Sequence, residues 1–287
     1  MIPHPAFRLF RPTRQETSVV FSSPHSGRDY PAAFTARSVL NATQLRSSED
    51  AFVDDLFACA TDFGAPLLAA RLPRAWVDLN RACDEFDPAL IEDVPRLGHN
   101  PRVSSGLGVI PRVVAGGRAI YRGKLSRAEA EARLAEGWHP FHSALRGLMA
   151  ETRAAFGEAI LIDCHSMPHE AIESHARPGA PRPEVVLGDR FGAAAAPGII
   201  DRVEAAFRAA GFRTSRNSPF AGAFIAQAYG RPSARHHVVQ VEIDRALYMD
   251  EARIALRPDF HEFHARLIPV VAELAAMGRR ALPLAAE

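Results

Sequence analysis

Residues 158–168 read EAILIDCHSMP, and the fold turns on this run. Four apolar residues, Ala159 to Ile162, lead straight into Asp163, Cys164 and His165, with Gly157 before the run and Pro168 after it. A run this short, rich in Ile and bounded by breakers, reads as a buried strand. Immediately before it, over 125–157, lies the clearest helical signal in the chain: Leu134, Trp138, Phe141, Leu145 and Leu148 recur at spacings of four, three, four and three. Pro140 falls inside that pattern and is expected to kink the helix or split it. An amphipathic helix delivering the chain into a buried strand is the repeating unit of an α/β protein.

Working outward, the strand-into-histidine pattern appears a second time, in VVFSSPHSGRDYP at 19–31. His25 stands there in a tight turn where backbone segments approach closely. A surface turn has no need of an imidazole at that point, whereas a metal or a bound anion does. Further strands are expected in SVVFSS (18–23), PLLAARL (66–72), AWVDLN (75–80), PEVVLGDR (183–190) and HHVVQVEID (236–244). Helices are expected over 47–64, where Ser, Glu and Asp crowd the first turn and Gly64 follows the end, over 197–212, and over 260–277 despite Pro269. Residues 82–118 repeat Pro, Gly and Arg without a period and read as a long loop of the kind that usually carries function. The expectation is one domain, 1–287, with a mixed, mostly parallel sheet flanked by helices. In such sheets ligands bind off the carboxyl ends of strands, where His25, Asn80, His165 and Glu242 fall.

Composition narrows the classes. The 287 residues are 47% hydrophobic, enough for a sizeable core, and the net charge of +1 gives no reason to expect nucleic acid or an acidic membrane as partner. No apolar run reaches the length of a membrane span, and the first residues lack a secretory apolar stretch. The three cysteines show no C-x-x-C spacing, so a reducing cytoplasm is the expected compartment.

Single residues among these are weak signals; their conjunction is not. A catalytic zinc typically takes three protein ligands, often two His and a carboxylate, and leaves a position open. A separate carboxylate serves as general base, and an arginine fork grips a substrate carboxylate. The chain holds one set suited to all these roles: His25, His165, the acidic pair Glu49 and Asp50, Arg81, and Glu242 in the middle of an apolar strand. Other candidates fit less well. His261 and His264 lie three apart on a helical face without a partner near in sequence, Cys164 sits in an apolar run and reads as packed, and no G-x-S-x-G occurs. One of His236 and His237 is a candidate pocket residue, and Arg102, Arg112, Arg122, Arg216 and Arg231 form an unranked set of candidate anion binders.

Taken together, SSPHSGRDYP, EDAFVDDL, VDLNR, GLGVIPR, IYRGKLSRAEAEARL, LIDCHSMP, NSPFAGAFIAQAYGRP and VQVEIDRALYMDE, in this order over roughly 18–255, resemble the N-formylglutamate amidohydrolase family. The resemblance implies a zinc-carboxypeptidase-like fold of the phosphorylase/hydrolase-like kind, related to the aspartoacylase-type deacylases. It further implies one Zn2+ per chain and a small-molecule substrate: N-formyl-L-glutamate, cleaved to formate and L-glutamate late in histidine catabolism. Carried over by position, His25 and His165 match the histidine ligands, and Asp50 is the chosen carboxylate ligand with Glu49 close behind. Arg81 and Asn80 match a pair that grips the substrate carboxylate, and Glu242 matches the general base. Carboxypeptidase relatives carry H-x-x-E, but Arg28 stands where that glutamate would be, so the third ligand must come from elsewhere. Asp163 is a candidate to orient a histidine from behind. Two other readings stay open: a deacylase for a different N-acyl amino acid, and a non-catalytic binder of acylated amino acids. Retention of His25, Asp50, His165 and Glu242 together speaks against the binder, which has no use for a base.

Overall fold

A computed structural model describes residues 2–95, 100–173 and 182–279. Eight strands form one sheet: β1 (Ile2–His4), β2 (Phe7–Phe10), β3 (Val19–Ser23), β4 (Leu67–Ala70), β5 (Ala159–Met167), β6 (Val185–Gly188), β7 (Thr214–Arg216) and β8 (His236–Asp244). Their spatial order is β1-β2-β4-β3-β5-β8-β6-β7. The four central strands, β4, β3, β5 and β8, are mutually parallel, β1 and β2 pair antiparallel with their neighbours, and β6 is antiparallel to β8 but parallel to β7. The sheet is therefore mixed, with a parallel centre, and it is flanked by helices on both faces.

All nine residues of β5 are buried, as expected of a central parallel strand covered on both sides. Side chains alternate between the faces. Val20, Leu161 and Val238 pack with Phe141, Leu145 and Leu148 on one face. Phe21, Ile160, Ile162, Cys164, Val239 and Val241 pack on the other, against the helices Pro197–Ala209 and Phe260–Ala276. Ser22, Asp163, His165, Gln240 and Glu242 continue the first of these alternations toward the carboxyl ends of their strands. Register lines them up, with Ser22 opposite Asp163, Gln240 opposite Asp163, and Glu242 opposite His165.

Several elements depart from expectation. The helix at 125–157 does not break at Pro140. Arg127–Arg133, a π-helical stretch Leu134–Trp138 and His139–Phe156 run on without interruption. Proline lacks an N–H and clashes with the carbonyl four residues back, and the wider π turn just ahead of Pro140 accommodates both defects. Residues 47–64 do not form one helix. Only Val53–Leu56 is α-helical, followed by a 3-10 segment Ala58–Phe63, and Phe52 at the start has a left-handed backbone, φ 67°. The reason is burial: Glu49 and Asp50 are drawn inside, and the Asp50 N–H donates to the His25 carbonyl at 3.0 Å. AWVDLN is not a strand but a series of turns, anchored where the Asp78 N–H meets the Val109 carbonyl at 2.8 Å. β1, β2 and β7 were not expected at all. They are short edge elements with too few residues to show a period. Within 82–118 the chain is largely irregular, with a short helix Pro101–Ser104 and two-residue strands Val113–Val114 and Arg118–Ala119, while 96–99 lie outside the described residues.

Candidate active site

At the carboxyl ends of the central strands opens a cavity of about 440 Å³. β3 delivers His25 two residues past its end. The turn that follows is tight because Gly27 lies against the neighbouring backbone: a Cβ there would stand 2.1 Å from the Leu72 carbonyl oxygen. Only glycine permits that approach, which lets the loop after β4 press against the loop after β3.

His25, Asp50 and His165 are buried together, with one donor atom from each lying within 4.8 Å of the others. Both imidazoles are gripped from behind. His25 Nε2 donates to Asp78 Oδ1 at 2.8 Å, and His165 Nε2 donates to Asp163 Oδ2 at 3.0 Å. Those bonds orient the rings and leave both Nδ1 atoms facing Asp50 Oδ2, at 3.4 Å from His25 and 2.9 Å from His165. His25 Nδ1 is buried and has no hydrogen-bond partner. A buried nitrogen left this way is costly unless a ligand completes it. Two imidazole nitrogens and a carboxylate oxygen, each imidazole backed by a second carboxylate, form the donor set that holds zinc or a similar divalent ion. The residues present fit such a metal.

Glu49 is not part of this group. It accepts from Tyr30 Oη at 2.6 Å and from Arg46 Nε at 3.1 Å, so of the acidic pair it is Asp50 that meets the histidines. Asp50 Oδ1 accepts from Arg245 Nη2 at 2.9 Å. Arg245 thus secures Asp50 and not Glu242, and it also donates to Ser166 Oγ at 3.1 Å. Asp163 is itself held by Ser22 Oγ at 2.7 Å, and Asp78 by Arg74 Nε at 3.0 Å.

Electrostatics follow from this crowding. Burial alone would raise the Asp50 carboxyl, but the close approach of the His165 and His25 imidazoles outweighs it and holds the group well below the usual carboxylate range. Burial works against the His165 imidazolium, yet Asp163 and Asp50 override it and raise the pKa well above an ordinary histidine. Glu242 is pushed up to about 7, chiefly by burial and also by the Asp50 charge, with His165 opposing. Its Oε1 accepts from Gln240 Nε2 at 2.7 Å.

Arg81 lines the same cavity. Its Nε donates to the Leu107 carbonyl at 3.0 Å and it forms no ion pair among the described residues. Burial lowers its pKa somewhat, with Arg74 and Arg102 adding to the effect, but a guanidinium remains a cation. Asn80 is more fully engaged: its Oδ1 accepts from the Ile225 N–H at 2.7 Å, and its Nδ2 lies 3.2 Å from His165 Nε2 and 3.4 Å from Gln240 Oε1. The backbone around this pair is clamped by one helical face, since Trp138 Nε1 donates to the Arg81 carbonyl at 2.9 Å and His142 Nε2 to the Leu79 carbonyl at 2.9 Å.

The remaining candidates fall elsewhere. His236 and His237 start β8, at the end away from the cavity, and neither lines it. Cys164 is packed on the opposite face of the sheet. His261 is exposed on its helix and His264 stacks on Phe260. Arg112 pairs with Asp87, and Arg216 with Asp201 and Glu204. Asp78, Arg74, Arg245 and Gln240 were not singled out from sequence for the parts they play, although Asp78 lies inside the quoted block VDLNR, and Gln240 and Arg245 inside VQVEIDRALYMDE.

Known proteins agree with this picture. The family model N-formylglutamate amidohydrolase matches residues 17–249. An N-formylglutamate deformylase of Pseudomonas aeruginosa is 34% identical over 93% of this chain and 96% of its own length. Another, of Pseudomonas putida, is 29% identical over 81% of this chain and 82% of its own. The crystal structure of an N-formylglutamate amidohydrolase from Ralstonia eutropha JMP134 superposes with a TM-score of 0.90 at 34% identity, covering 97% of this chain and all of that one. A gene product of Agrobacterium tumefaciens, 18% identical, shares the fold with a TM-score of 0.59. By sequence match and fold, the chain belongs to the N-formylglutamate amidohydrolase family.

Proposed function

We propose that this protein is a metal-dependent amidohydrolase that cleaves N-formyl-L-glutamate into formate and L-glutamate. The observation that carries the reading is the buried trio His25, Asp50 and His165, with both imidazoles turned by Asp78 and Asp163 so that their Nδ1 atoms converge on Asp50. The names of the relatives support the substrate, and the chemistry of the donor set supports the metal. Zinc is the metal we assign, since two histidines and a carboxylate are a common set for a catalytic zinc.

When bound, the metal supplies Lewis acidity toward the acyl carbonyl and acidifies water at the site. The chain's own groups do the rest. Arg81 holds the α-carboxylate through its planar fork and so fixes where the acyl group lies. Glu242, facing the same cavity, removes a proton from the attacking water as the new C–O bond forms. It returns that proton to the amide nitrogen as the C–N bond breaks, so one water is consumed and the amine departs neutral. Gln240 steadies the Glu242 carboxyl in both states through the 2.7 Å bond.

Formate and glutamate release from N-formyl-L-glutamate, measured before chelation, after it and after zinc is returned, tests the proposal. Activity should disappear with the metal and return with it. Full activity in protein shown by elemental analysis to be metal-free would overturn the metal, and no turnover of any N-formyl amino acid would overturn the reaction.

A further inference from the structure

Four guanidinium groups line the cavity: Arg74, Arg81, Arg102 and Arg245. Two are neutralised where they stand, Arg74 by Asp78 at 3.0 Å and Arg245 by Asp50 at 2.9 Å. The other two are not. Arg81 donates only to the carbonyl oxygens of Leu107 and Asn80, and the Arg102 side chain has neither an ion pair nor a hydrogen bond among the described residues. Among the described residues, the only lining carboxylate not already paired with an arginine or histidine is Glu242, which bonds Gln240. The cavity thus presents two unspent cations to whatever enters it.

Arg102 is exposed, but the backbone that carries it is anchored. Asn100 caps its short helix, with Oδ1 accepting from the N–H groups of Arg102 and Val103, and Pro101 fixes the first helical position. Leu107 ties the two segments together through one residue: its N–H donates to the Arg102 carbonyl at 2.8 Å, and its carbonyl accepts from Arg81 Nε at 3.0 Å. Two like charges held on a shared backbone anchor repel each other unless anions come between them, and a ligand with two carboxylates supplies those anions.

Resting on the deformylase reading above, we propose that Arg102 is the residue that sets side-chain specificity: it pairs with the second carboxylate of an acidic N-acyl amino acid while Arg81 takes the α-carboxylate. The other arginines left unranked from sequence do not compete. Arg112 and Arg216 are spent on acids of the chain, and neither Arg122 nor Arg231 lines the cavity.

The test compares two substrates of nearly equal shape, N-formyl-L-glutamate and N-formyl-L-glutamine, on the zinc-loaded full chain and on Arg102→Gln. The variant should lose about 10- to 100-fold in kcat/KM on the glutamate compound, mainly through KM, with the glutamine compound unchanged. Arg102→Glu should extend the loss on the dianion and turn the preference toward the uncharged compound. Because Arg102 is exposed, zinc content and melting temperature should match wild type in both variants. An active wild type whose Arg102→Gln variant changes equally on both substrates, or on neither, overturns the assignment alone. A wild type inactive on both overturns the deformylase reading and this assignment with it.

Discussion

Glu242 is the residue on which the enzyme reading depends most. Glu242→Gln keeps the shape and the contact with Gln240 but cannot take a proton. Turnover should fall about 100- to 10,000-fold, while zinc content and KM stay near wild type. A stable, zinc-loaded and fully active variant would remove Glu242 from the mechanism. The same carboxyl predicts a pH dependence. A base must be ionised, and burial places this group at about 7 in the metal-free chain, so activity should rise with pH through an acid limb. Bound metal adds positive charge nearby and draws that limb to about 7 or below; a kcat/KM profile with its acid midpoint well above 7 would contradict the assignment. Behind the histidines, Asp78→Asn and Asp163→Asn should each weaken zinc binding about 10- to 100-fold, measured by competition with a chelator. His25 and His165 could be read from sequence because a histidine ending an apolar strand is locally odd. Asp78 and Arg245 could not, because their roles depend on which distant side chain they reach, His25 in one case and Asp50 in the other.

Elements enter through the approach of one backbone to another. Gly27→Ala would drive a methyl into the Leu72 carbonyl oxygen, with backbone on both sides and no flexible tip to yield. The turn should shift, carrying His25 with it, so that zinc affinity falls together with melting temperature; retained affinity in a destabilised variant would show the turn to be mere packing. Gly137 lies in the π stretch, where a Cβ would meet Val77 Cγ1 at 2.9 Å and Trp76 Cζ3 at 3.0 Å. Gly137→Ala should cost about 1–3 kcal/mol in denaturant unfolding with zinc affinity unchanged, since overpacking is moderately destabilising and no metal donor sits there. Long periodic elements, such as 127–156 and β8, were legible because many residues vote for one period. The stretch 47–64 misled for the opposite reason: its acidic start looks like a helix cap, yet Glu49 and Asp50 are drawn inward by Arg46, Arg245 and the histidines. That pull is tertiary, and propensity does not register it.

At the scale of the whole molecule, metal removal should be felt in stability as well as rate. A ligand that binds only the folded chain stabilises it by about 2.7 kcal/mol at a hundredfold excess over its dissociation constant. Chelated protein should therefore melt lower than zinc-loaded protein, with the gap closing on re-addition; identical melting curves would show the donor trio to be empty of consequence for the fold. The cavity is also built from two kinds of chain. His25, His165 and Glu242 ride on or just beyond parallel strands locked by the core, whereas Arg74, Arg81, Arg102 and the wall from Pro111 to Gly117 come from the single irregular excursion that leaves β4. On the proposed reading, the ligand-reading Arg81 and Arg102 thus lie apart in sequence from His25, Asp50, His165 and Glu242, and Asp78, which backs His25, ties the two sets together. A protein so divided can drift in what it recognises while its reaction stays fixed, and replacing the stretch from 100 to 117 is the graft by which a laboratory selection could retrain it toward a different acyl amino acid without rebuilding the metal site.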